Sequence, residues 1–262
     1  MNRFRVMMLG DIIGKCGRRL LREELDILRA EHNVDIVIAN GENSAGGLGI
    51  NIKTRKQLLE AGVDVITLGN HLWDKRDIND IIHENDMVRP LNYPDPATPG
   101  SGVRVYEENG VRFAVISILG RVYMPKVCCP FRSIDKVLED LKKRNIRVII
   151  IDIHAEATSE KIAFGFYTDG RVSAVAGTHT HIQTNDLRIL PDGTGYITDL
   201  GMCGDRESVI GVDRNIILER FLDQMPKRFK VTCEVPMLNG ALFTIDRGSG
   251  KCVGVKSLNI DF

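Results

Sequence analysis

Short apolar runs alternate with amphipathic segments along most of the chain. The runs are rich in Val and Ile and contain few polar positions, a pattern typical of strands that are buried on both faces. They are Arg5–Leu9, Asp35–Ala39, Val63–Leu68, Val111–Ile118, Val148–Ile153, Val172–Ala176 and Gly195–Thr198. The alternation of strands with helices predicts a layered α/β sandwich.

Helices are predicted in the segments between these runs. Between the first two runs, Leu21, Leu25 and Leu28 share one face of a helix, and the arginines lie largely off that face. The other predicted helices are Lys53–Ala61, Asp77–Glu84, Ser133–Arg144 and Arg214–Gln224. The last third of the chain favours antiparallel strands and turns. Its apolar runs are Phe229–Val235, Ala241–Ile245 and Val253–Ile260.

One domain that covers residues 1–262 is expected. A chain of 262 residues exceeds the usual domain size, but α/β sandwiches of this length commonly fold as one unit. The proline-rich stretch Arg89–Gly100 is the best candidate for a linker. Its length is also consistent with a long surface loop inside one domain, which is the interpretation that we prefer.

Composition and charge narrow the possible classes of protein. Hydrophobic residues make up 43% of the chain and charged residues 27%, which excludes a disordered or collagen-like protein. Lys plus Arg and Asp plus Glu both total 35, so the formal net charge is zero. Because no global charge attracts nucleic acid or an anionic membrane, we expect neither as a stable partner. An anionic substrate must therefore be held by local chemistry.

The N-terminal residues and the cysteines indicate a cytoplasmic protein. The apolar run that begins at Phe4 is interrupted by Arg5 and ends at Asp11, so no signal peptide is predicted. No apolar stretch has the length that spans a bilayer. The cysteines form no Cys-x-x-Cys pair in a chain too large to need disulfides, so all are expected to be reduced thiols. They are Cys16, Cys128, Cys129, Cys203, Cys233 and Cys252.

Polar side chains that can bind metal ions directly follow five of the apolar runs. Because the carboxyl ends of sheet strands are where α/β folds place their sites, these five loops are expected to converge on one rim. Asp, Glu, Asn and His provide a hard set of oxygen and nitrogen ligands, and about seven ligands suit two metal ions better than one. The candidate residues are Asp11, Glu42, Asn43, Asn70, His71, His154, His179 and His181.

Each candidate also has an ordinary structural interpretation. Asp11 and Asn70 are of types that are common in turns, and His154 is consistent with a buried histidine whose hydrogen bonds are satisfied. His179 and His181 form a stronger pair, because residues two apart in a strand project to the same side.

A phosphate-binding loop is the competing interpretation of the first polar segment, Gly10–Cys16. It fails because only three residues separate the two glycines and Cys, rather than Ser or Thr, follows Lys. The glycine-rich segment Ser44–Gly49 does not match GxGxxG and is consistent with a tight turn or a flexible loop beside the metals. Cations near Asp11 could assist phosphate binding, but solvated charges on a helix face are equally ordinary. These cations are Lys15, Arg18 and Arg19, and Arg121 is a further candidate of the same kind.

Five motifs in their order and spacing resemble the calcineurin-like metallophosphoesterases, and most closely their YmdB-type bacterial branch. They are GDIIG (10–14), NGEN (40–43), GNHLWD (69–74), DIHAEATSEK (152–161) and GTHTH (177–181). RPLNYP (89–94), FYTDGRVSAVAGTHTHIQT (166–184) and ILPDGTGYITDLGMCG (189–204) extend the similarity across nearly the whole chain. The wider superfamily has Asp-x-His in its first motif, where this chain has Ile13, and a bridging Asp where this chain has Glu42. Both departures are features of the YmdB-type branch.

The resemblance implies a four-layer αββα metallophosphoesterase sandwich and a dinuclear centre. It implies that one metal is bound by Asp11, Glu42, Asn43 and His181. It implies that Glu42 bridges to a second metal, which is completed by Asn70, His154 and His179. In the same scheme His71 is the proton donor, and the metals are iron or manganese. A homo-oligomer is implied by family analogy alone.

The expected function is a metal-dependent phosphodiesterase that hydrolyses cyclic nucleotides, including 2′,3′-cyclic phosphates, by in-line attack of a metal-bridging hydroxide. Its substrate is then a small-molecule phosphodiester. Asp74 and Glu156 flank candidate ligands and could orient the imidazoles. Two alternatives stay open. One is another phosphoesterase, such as a phosphomonoesterase or a 5′-nucleotidase, and the other is a regulatory module that senses a nucleotide without turning it over.

Overall fold

Two β-sheets form the centre of the protein in the computed structural model, which describes residues 2–262. The first sheet has the order β13-β12-β11-β1-β2-β3-β4 and an additional antiparallel pairing of β1 with β12. Its strands are β1 (Arg3–Ile12), β2 (Ile36–Asn40), β3 (Val65–Thr67), β4 (Met87–Val88), β11 (Met202–Asp205), β12 (Pro236–Asp246) and β13 (Cys252–Asp261). Strands β1 to β4 are parallel neighbours, so their carboxyl ends share one edge.

The second sheet has the order β5-β6-β7-β8-β10-β9. Its strands are β5 (Val103–Glu108), β6 (Val111–Leu119), β7 (Val148–His154), β8 (Ala174–Thr178), β9 (Arg188–Ile189) and β10 (Gly195–Ile197). Strands β6, β7, β8 and β10 run parallel, and β5 and β9 close the edges in antiparallel pairings. The chain passes from the first sheet to the second through residues 89–102, and the proline-rich stretch lies in this irregular connection.

Helices cover the outer faces of both sheets and complete four layers. They are α1 (Gly14–His32), α2 (Ile52–Glu60), α3 (Ile78–Ile81), α4 (Pro130–Lys143), α5 (Thr158–Thr168) and α6 (Arg214–Asp223). One apolar core lies between the first sheet and α1 to α3, a second lies between the two sheets, and a third lies between the second sheet and α4 and α5. The predicted αββα sandwich is confirmed. No helix in residues 2–262 combines the length and the apolar character that a bilayer crossing requires.

Local sequence explains α1 and α2, the helices that follow β1 and β2 along the chain. In α1, Leu21, Leu25 and Leu28 are buried, as their spacing predicts. This helix ends at Asn33 in the left-handed conformation, where the backbone N–H bonds back to the last turn. Helix α2 begins with a capping box, in which Asn51 accepts from the Thr54 N–H and Thr54 accepts from the Asn51 N–H.

Two expectations from the sequence are wrong. Phe229–Val235 forms no strand, because this segment makes only an isolated bridge from Val231 to Val212 and otherwise lies as a loop. Cys16 and Cys233 are joined by a disulfide, whereas all cysteines were expected to be reduced. The fold brings their Cα atoms to 5.2 Å, the separation that a disulfide needs, across 217 residues of sequence. The other four cysteines are free thiols.

Candidate metal centre

The ends of five strands bring all the predicted site residues together at one edge of the sandwich. Strands β1, β2 and β3 come from the first sheet, and β7 and β8 come from the second. The residues are Asp11, Glu42, Asn43, Asn70, His71, His154, His179 and His181. The strand-end rule therefore holds for each of them, and the site joins the two sheets.

An irregularity in β1 sets the position of Asp11. The register between β1 and β2 shifts between Leu9 and Asp11, and the Asp11 N–H donates to the Gly201 carbonyl at 3.1 Å. A Cβ atom on Gly10 would lie 2.0 Å from that carbonyl oxygen. Only glycine therefore allows the two backbones to approach closely enough to place the Asp11 carboxylate in the site.

One group of potential ligands surrounds the Nε2 atom of His154. Glu42 Oε1 and Asn70 Oδ1 each lie 2.9 Å from this atom, and His179 Nδ1 lies 3.1 Å from it. The Glu42 and His154 side chains are fully buried. Four oxygen and nitrogen atoms of metal-ligand type thus converge on one small volume.

A second group is formed by Asp11, Asn43 and His181. The amide end of Asn43 lies 3.0 Å from His181 Nε2 and 3.4 Å from Asp11 Oδ1. His181 Nδ1 lies 2.9 Å from the Ile210 carbonyl, which can only accept, so the ring proton sits on Nδ1 and Nε2 faces the group. The backbone N–H of His179 donates to Asp11 Oδ2 at 3.1 Å, and this hydrogen bond joins the two groups.

The residues present fit a bound metal ion. Glu42 Oε1 is buried and receives no well-directed hydrogen bond, although His154 Nε2 is close. A single proton on His154 Nε2 cannot serve Glu42, Asn70 and His179 together, whereas one cation satisfies all three. Carboxylate, amide and imidazole are ligands that divalent ions accept.

The pKa shifts of the buried groups also indicate a site that favours positive charge. Burial alone would raise the pKa of Glu42, but the positive charge of the neighbouring His154 lowers it to about 2. Burial opposes the charged form of His154, yet the surrounding carboxylates, Glu42 first, raise its pKa to about 9. Burial and the charge of His154 lower the pKa of His179 to about 3. Burial raises the pKa of Asp11 to about 6 against the opposing charges of His181 and His154.

Two carboxylates orient imidazoles at the rim, as the sequence suggested. Asp74 Oδ2 lies 2.7 Å from His71 Nδ1, and Glu156 Oε2 lies 3.2 Å from His179 Nε2. The His71 backbone N–H also donates to Glu42 Oε2 at 3.0 Å. The backbone of His71 therefore holds the candidate ligand Glu42, while its ring is held separately by Asp74. The His71 side chain is 32% exposed, which leaves it open to a substrate.

Comparisons with known proteins agree with this geometry. The family described as YmdB-like protein matches residues 7–258. The chain belongs to the YmdB-like family. The 2′,3′-cyclic-nucleotide 2′-phosphodiesterase of Bacillus subtilis is 43% identical over 98% of this chain and 97% of its own length. The predicted resemblance is confirmed, and it supports the expected enzyme class, a phosphoester hydrolase.

Solved structures extend the comparison to the fold of this YmdB-like chain. A crystal structure of a novel phosphatase from Mycoplasma pneumoniae has a TM-score of 0.94 and 37% identity, and the match covers 100% of this chain and 94% of that one. A 5′-nucleotidase precursor from Thermus thermophilus has a TM-score of 0.60 at 11% identity and shares the fold alone. The match covers 98% of this chain and 54% of the nucleotidase. Metallophosphoesterases of this fold use divalent metal ions.

A buried acid that the sequence interpretation passed over orients His154 in this YmdB-like chain. His154 Nδ1 lies 2.8 Å from the Thr178 hydroxyl, which donates to Asp152 Oδ1 at 2.6 Å. Asp152 Oδ2 also accepts from Asn40 at 3.1 Å. This chain of hydrogen bonds keeps the proton on Nδ1 and directs Nε2 at the ligand group. The signal in the sequence was an acid inside the apolar run of β7, which is unusual for a buried strand.

Of the three cations near Asp11, Arg18 makes structural hydrogen bonds. Arg18 Nε donates to Gln57 Oε1 at 2.8 Å, and its guanidinium also donates to the Ser44 carbonyl, so Arg18 holds the segment that follows Glu42. Lys15 and Arg19 line a surface cavity of about 300 Å³ beside the Cys16–Cys233 disulfide.

Proposed function

We propose that this chain is a dinuclear-metal-dependent phosphodiesterase that hydrolyses cyclic nucleotides, including 2′,3′-cyclic phosphates. The observation that carries the proposal is the buried Glu42 carboxylate, whose Oε1 atom has no hydrogen-bond partner and lies 2.9 Å from His154 Nε2, the atom that Asn70 and His179 also contact. The second group, around Asp11, adjoins it directly. The 43% identity to a named cyclic-nucleotide phosphodiesterase supports the substrate class.

The chain's own residues divide into two sets of metal ligands. We assign Asp11, Asn43 and His181 to one ion, Asn70, His154 and His179 to the other, and Glu42 to both. We take the ions as iron or manganese, following the family resemblance. When bound, such ions neutralise the charge of the phosphate and make water a nucleophile at neutral pH.

His71 is assigned as the general acid. Asp74 accepts a hydrogen bond from the Nδ1–H of its ring, and a second proton, carried on Nε2, passes to the ribose oxygen that departs from phosphorus. Because His71 lies at the rim and is partly exposed, it can meet the leaving oxygen without entering the ligand groups. The proton transfer neutralises the alkoxide as the ester bond breaks.

The proposal is tested with 2′,3′-cyclic AMP and protein of known metal content. Wild-type protein is compared with Asp11→Asn, and the products are separated by chromatography. We expect wild-type turnover that the variant loses, with 3′-AMP as the product if the 2′ ester breaks as the name of the Bacillus relative indicates. Faster release of phosphate from 3′-AMP or 5′-AMP than turnover of the cyclic ester would contradict the proposal and favour a phosphomonoesterase. Binding without any turnover would favour a sensing role.

Other expectations from the sequence stay predictions. A homo-oligomer, a cytoplasmic location and the absence of a stable nucleic-acid complex are each tested independently of turnover. Light scattering measures the mass in solution, fractionation locates the protein in the cell, and a gel-shift experiment with duplex and single-stranded oligonucleotides measures nucleic-acid binding.

A further inference from the structure

Lys161 and Asp199 form a buried ion pair beside the candidate metal centre. Lys161 Nζ lies 2.6 Å from Asp199 Oδ2, and the two side chains are 0% and 1% exposed. Burying two charges costs free energy that their attraction seldom exceeds, so such a pair is weak evidence for stability alone. The contacts of the pair therefore need a separate explanation.

The pair holds the loop that carries two of the candidate ligands. Asp199 Oδ2 accepts from the Thr180 N–H at 3.1 Å and from the Thr180 hydroxyl at 2.7 Å. Thr180 stands between His179 and His181 in the sequence. The carboxylate oxygen that Lys161 neutralises is thus the one that fixes the centre of the His-Thr-His loop.

This loop has a backbone conformation that does not persist unaided. His179 has φ of 100° and His181 has φ of 64°, in a region that residues with a Cβ atom seldom occupy. Such residues keep this conformation only where the surroundings over-determine it. The two rings lie in different ligand groups, and the hydrogen bonds from Thr180 to Asp199 hold the backbone between them.

The same carboxylate reaches the other side of the site. Asp199 Oδ1 accepts from the Gly201 N–H at 2.8 Å, and the Gly201 carbonyl accepts from the Asp11 N–H at 3.1 Å. Asp199 therefore links the backbone that bears Asp11, in the first sheet, to the loop that follows β8, in the second.

We infer that Lys161 and Asp199 are positioning residues, which act through Thr180 to hold His179 and His181 in the geometry that binds two metal ions. The inference rests on the proposed assignment of these histidines as ligands. It predicts that loss of the Thr180 hydroxyl weakens metal binding before any chemistry takes place. Removal of an oriented partner of a metal ligand typically weakens metal affinity about 10-fold to 100-fold.

The test compares three variants by their binding of Mn²⁺ alone. Thr180→Val removes the hydroxyl, Thr180→Ser restores it, and Thr168→Val removes a buried hydroxyl of α5 that donates to the Phe164 carbonyl at 2.9 Å, within its own helix. Mn²⁺ affinity and stoichiometry are measured by titration calorimetry, the spin coupling of the ions is measured by electron paramagnetic resonance, and folding is checked by thermal unfolding.

We expect Thr180→Val to bind Mn²⁺ at least about tenfold more weakly and to lose the coupled signal, with both restored in Thr180→Ser and unchanged in Thr168→Val. Lys161→Met should show the same defect. If Lys161→Met does not fold, the comparison of Thr180→Val with Thr180→Ser tests the inference. Wild-type affinity in Thr180→Val, or an equal loss in Thr168→Val, would overturn the inference. Wild-type protein that binds Mn²⁺ but leaves the cyclic nucleotide intact would contradict the proposed function and not this inference, because the readout is metal binding.

Discussion

Asp74 Oδ2 lies 2.7 Å from His71 Nδ1, and this contact leaves the opposite ring nitrogen, Nε2, as the atom that can meet a substrate at the rim of the site, where we propose that it acts as the general acid. Because the ring makes no contribution to either ligand group, its function is separable from metal binding. This separation allows the acid and the metal ligands to be tested by different readouts.

Replacement of His71 by Ala should lower turnover of 2′,3′-cyclic AMP by about 10²–10⁴-fold while metal content stays unchanged, since a general acid contributes about that factor. The backbone N–H that holds Glu42 is retained in the variant. Steady-state rates and elemental analysis of the same preparation measure both quantities. His83→Ala, which removes an exposed histidine, is the control and should change neither. Unchanged turnover in His71→Ala would remove this residue from the mechanism.

Replacement of Glu42 by Gln should reduce both metal content and turnover. The substitution keeps the size of the side chain but removes the buried negative charge beside His154, which we propose both metal ions share. We expect Mn²⁺ affinity to fall by more than about tenfold, measured by calorimetry. Glu160→Gln is a matched control, because Glu160 is also a buried glutamate near this edge, but it accepts from the N–H groups of Arg121 and Val122. Full metal occupancy in Glu42→Gln would argue against a bridging carboxylate.

Most of the strands that the sequence predicts are buried on both faces, although β13 is predicted and is largely exposed. Every residue of β7 is buried, and its apolar run is evident in the sequence. Strand β5, in contrast, is a half-exposed edge strand that contains Arg104 and two glutamates, and β4 has only two residues, so neither produces a recognisable run. Tertiary pairing, not local sequence, forms these two strands. The single domain of residues 1–262 stays a prediction.

The site could be predicted only as far as the positions of its candidate ligands. The strand-end rule brings Asp11 and the four histidines of the site to one edge, but it cannot say which ring nitrogen faces inward. That choice depends on Thr178 for His154 and on the Ile210 carbonyl for His181, and each partner lies more than 20 residues from its histidine in the sequence. Thr178 is in turn held by Asp152. Asp199 was passed over for the same reason, because its partners lie on α5 and in the loop after β8.

Replacement of Gly69 by Ala should abolish metal binding in a chain that still folds. A Cβ atom at this position would lie 2.3 Å from His154 Cδ2 and 2.4 Å from Glu42 Oε2, so one or both ligands must move. Calorimetry with Mn²⁺ and circular dichroism measure binding and folding. Gly254→Ala is the control, because its Cβ would meet Thr244 at an ordinary 3.5 Å. Wild-type Mn²⁺ affinity in Gly69→Ala would show that the close contact of Gly69 with His154 and Glu42 does not constrain these candidate ligands.

Metal binding near pH 7.5 should release about one proton from His154. The carboxylates around this buried ring raise its pKa to about 9 in the metal-free protein, so at pH 7.5 the ring carries a proton that a metal ion must displace. Glu42 and His179 have lowered pKa values and are already deprotonated, so they release none. Asp11, whose pKa is raised to about 6, adds a second proton only as the pH falls toward that value.

The sign of the pH dependence follows from this displacement. Because the proton competes with the metal below pH 9, the apparent Mn²⁺ affinity should fall by about tenfold for each pH unit between pH 9 and pH 7, and it should level off above pH 9. Calorimetry at pH 7.5 in two buffers with different ionisation enthalpies gives the proton count directly. Equal heats in the two buffers, or an affinity independent of pH in this range, would show that His154 is neutral before the metal binds.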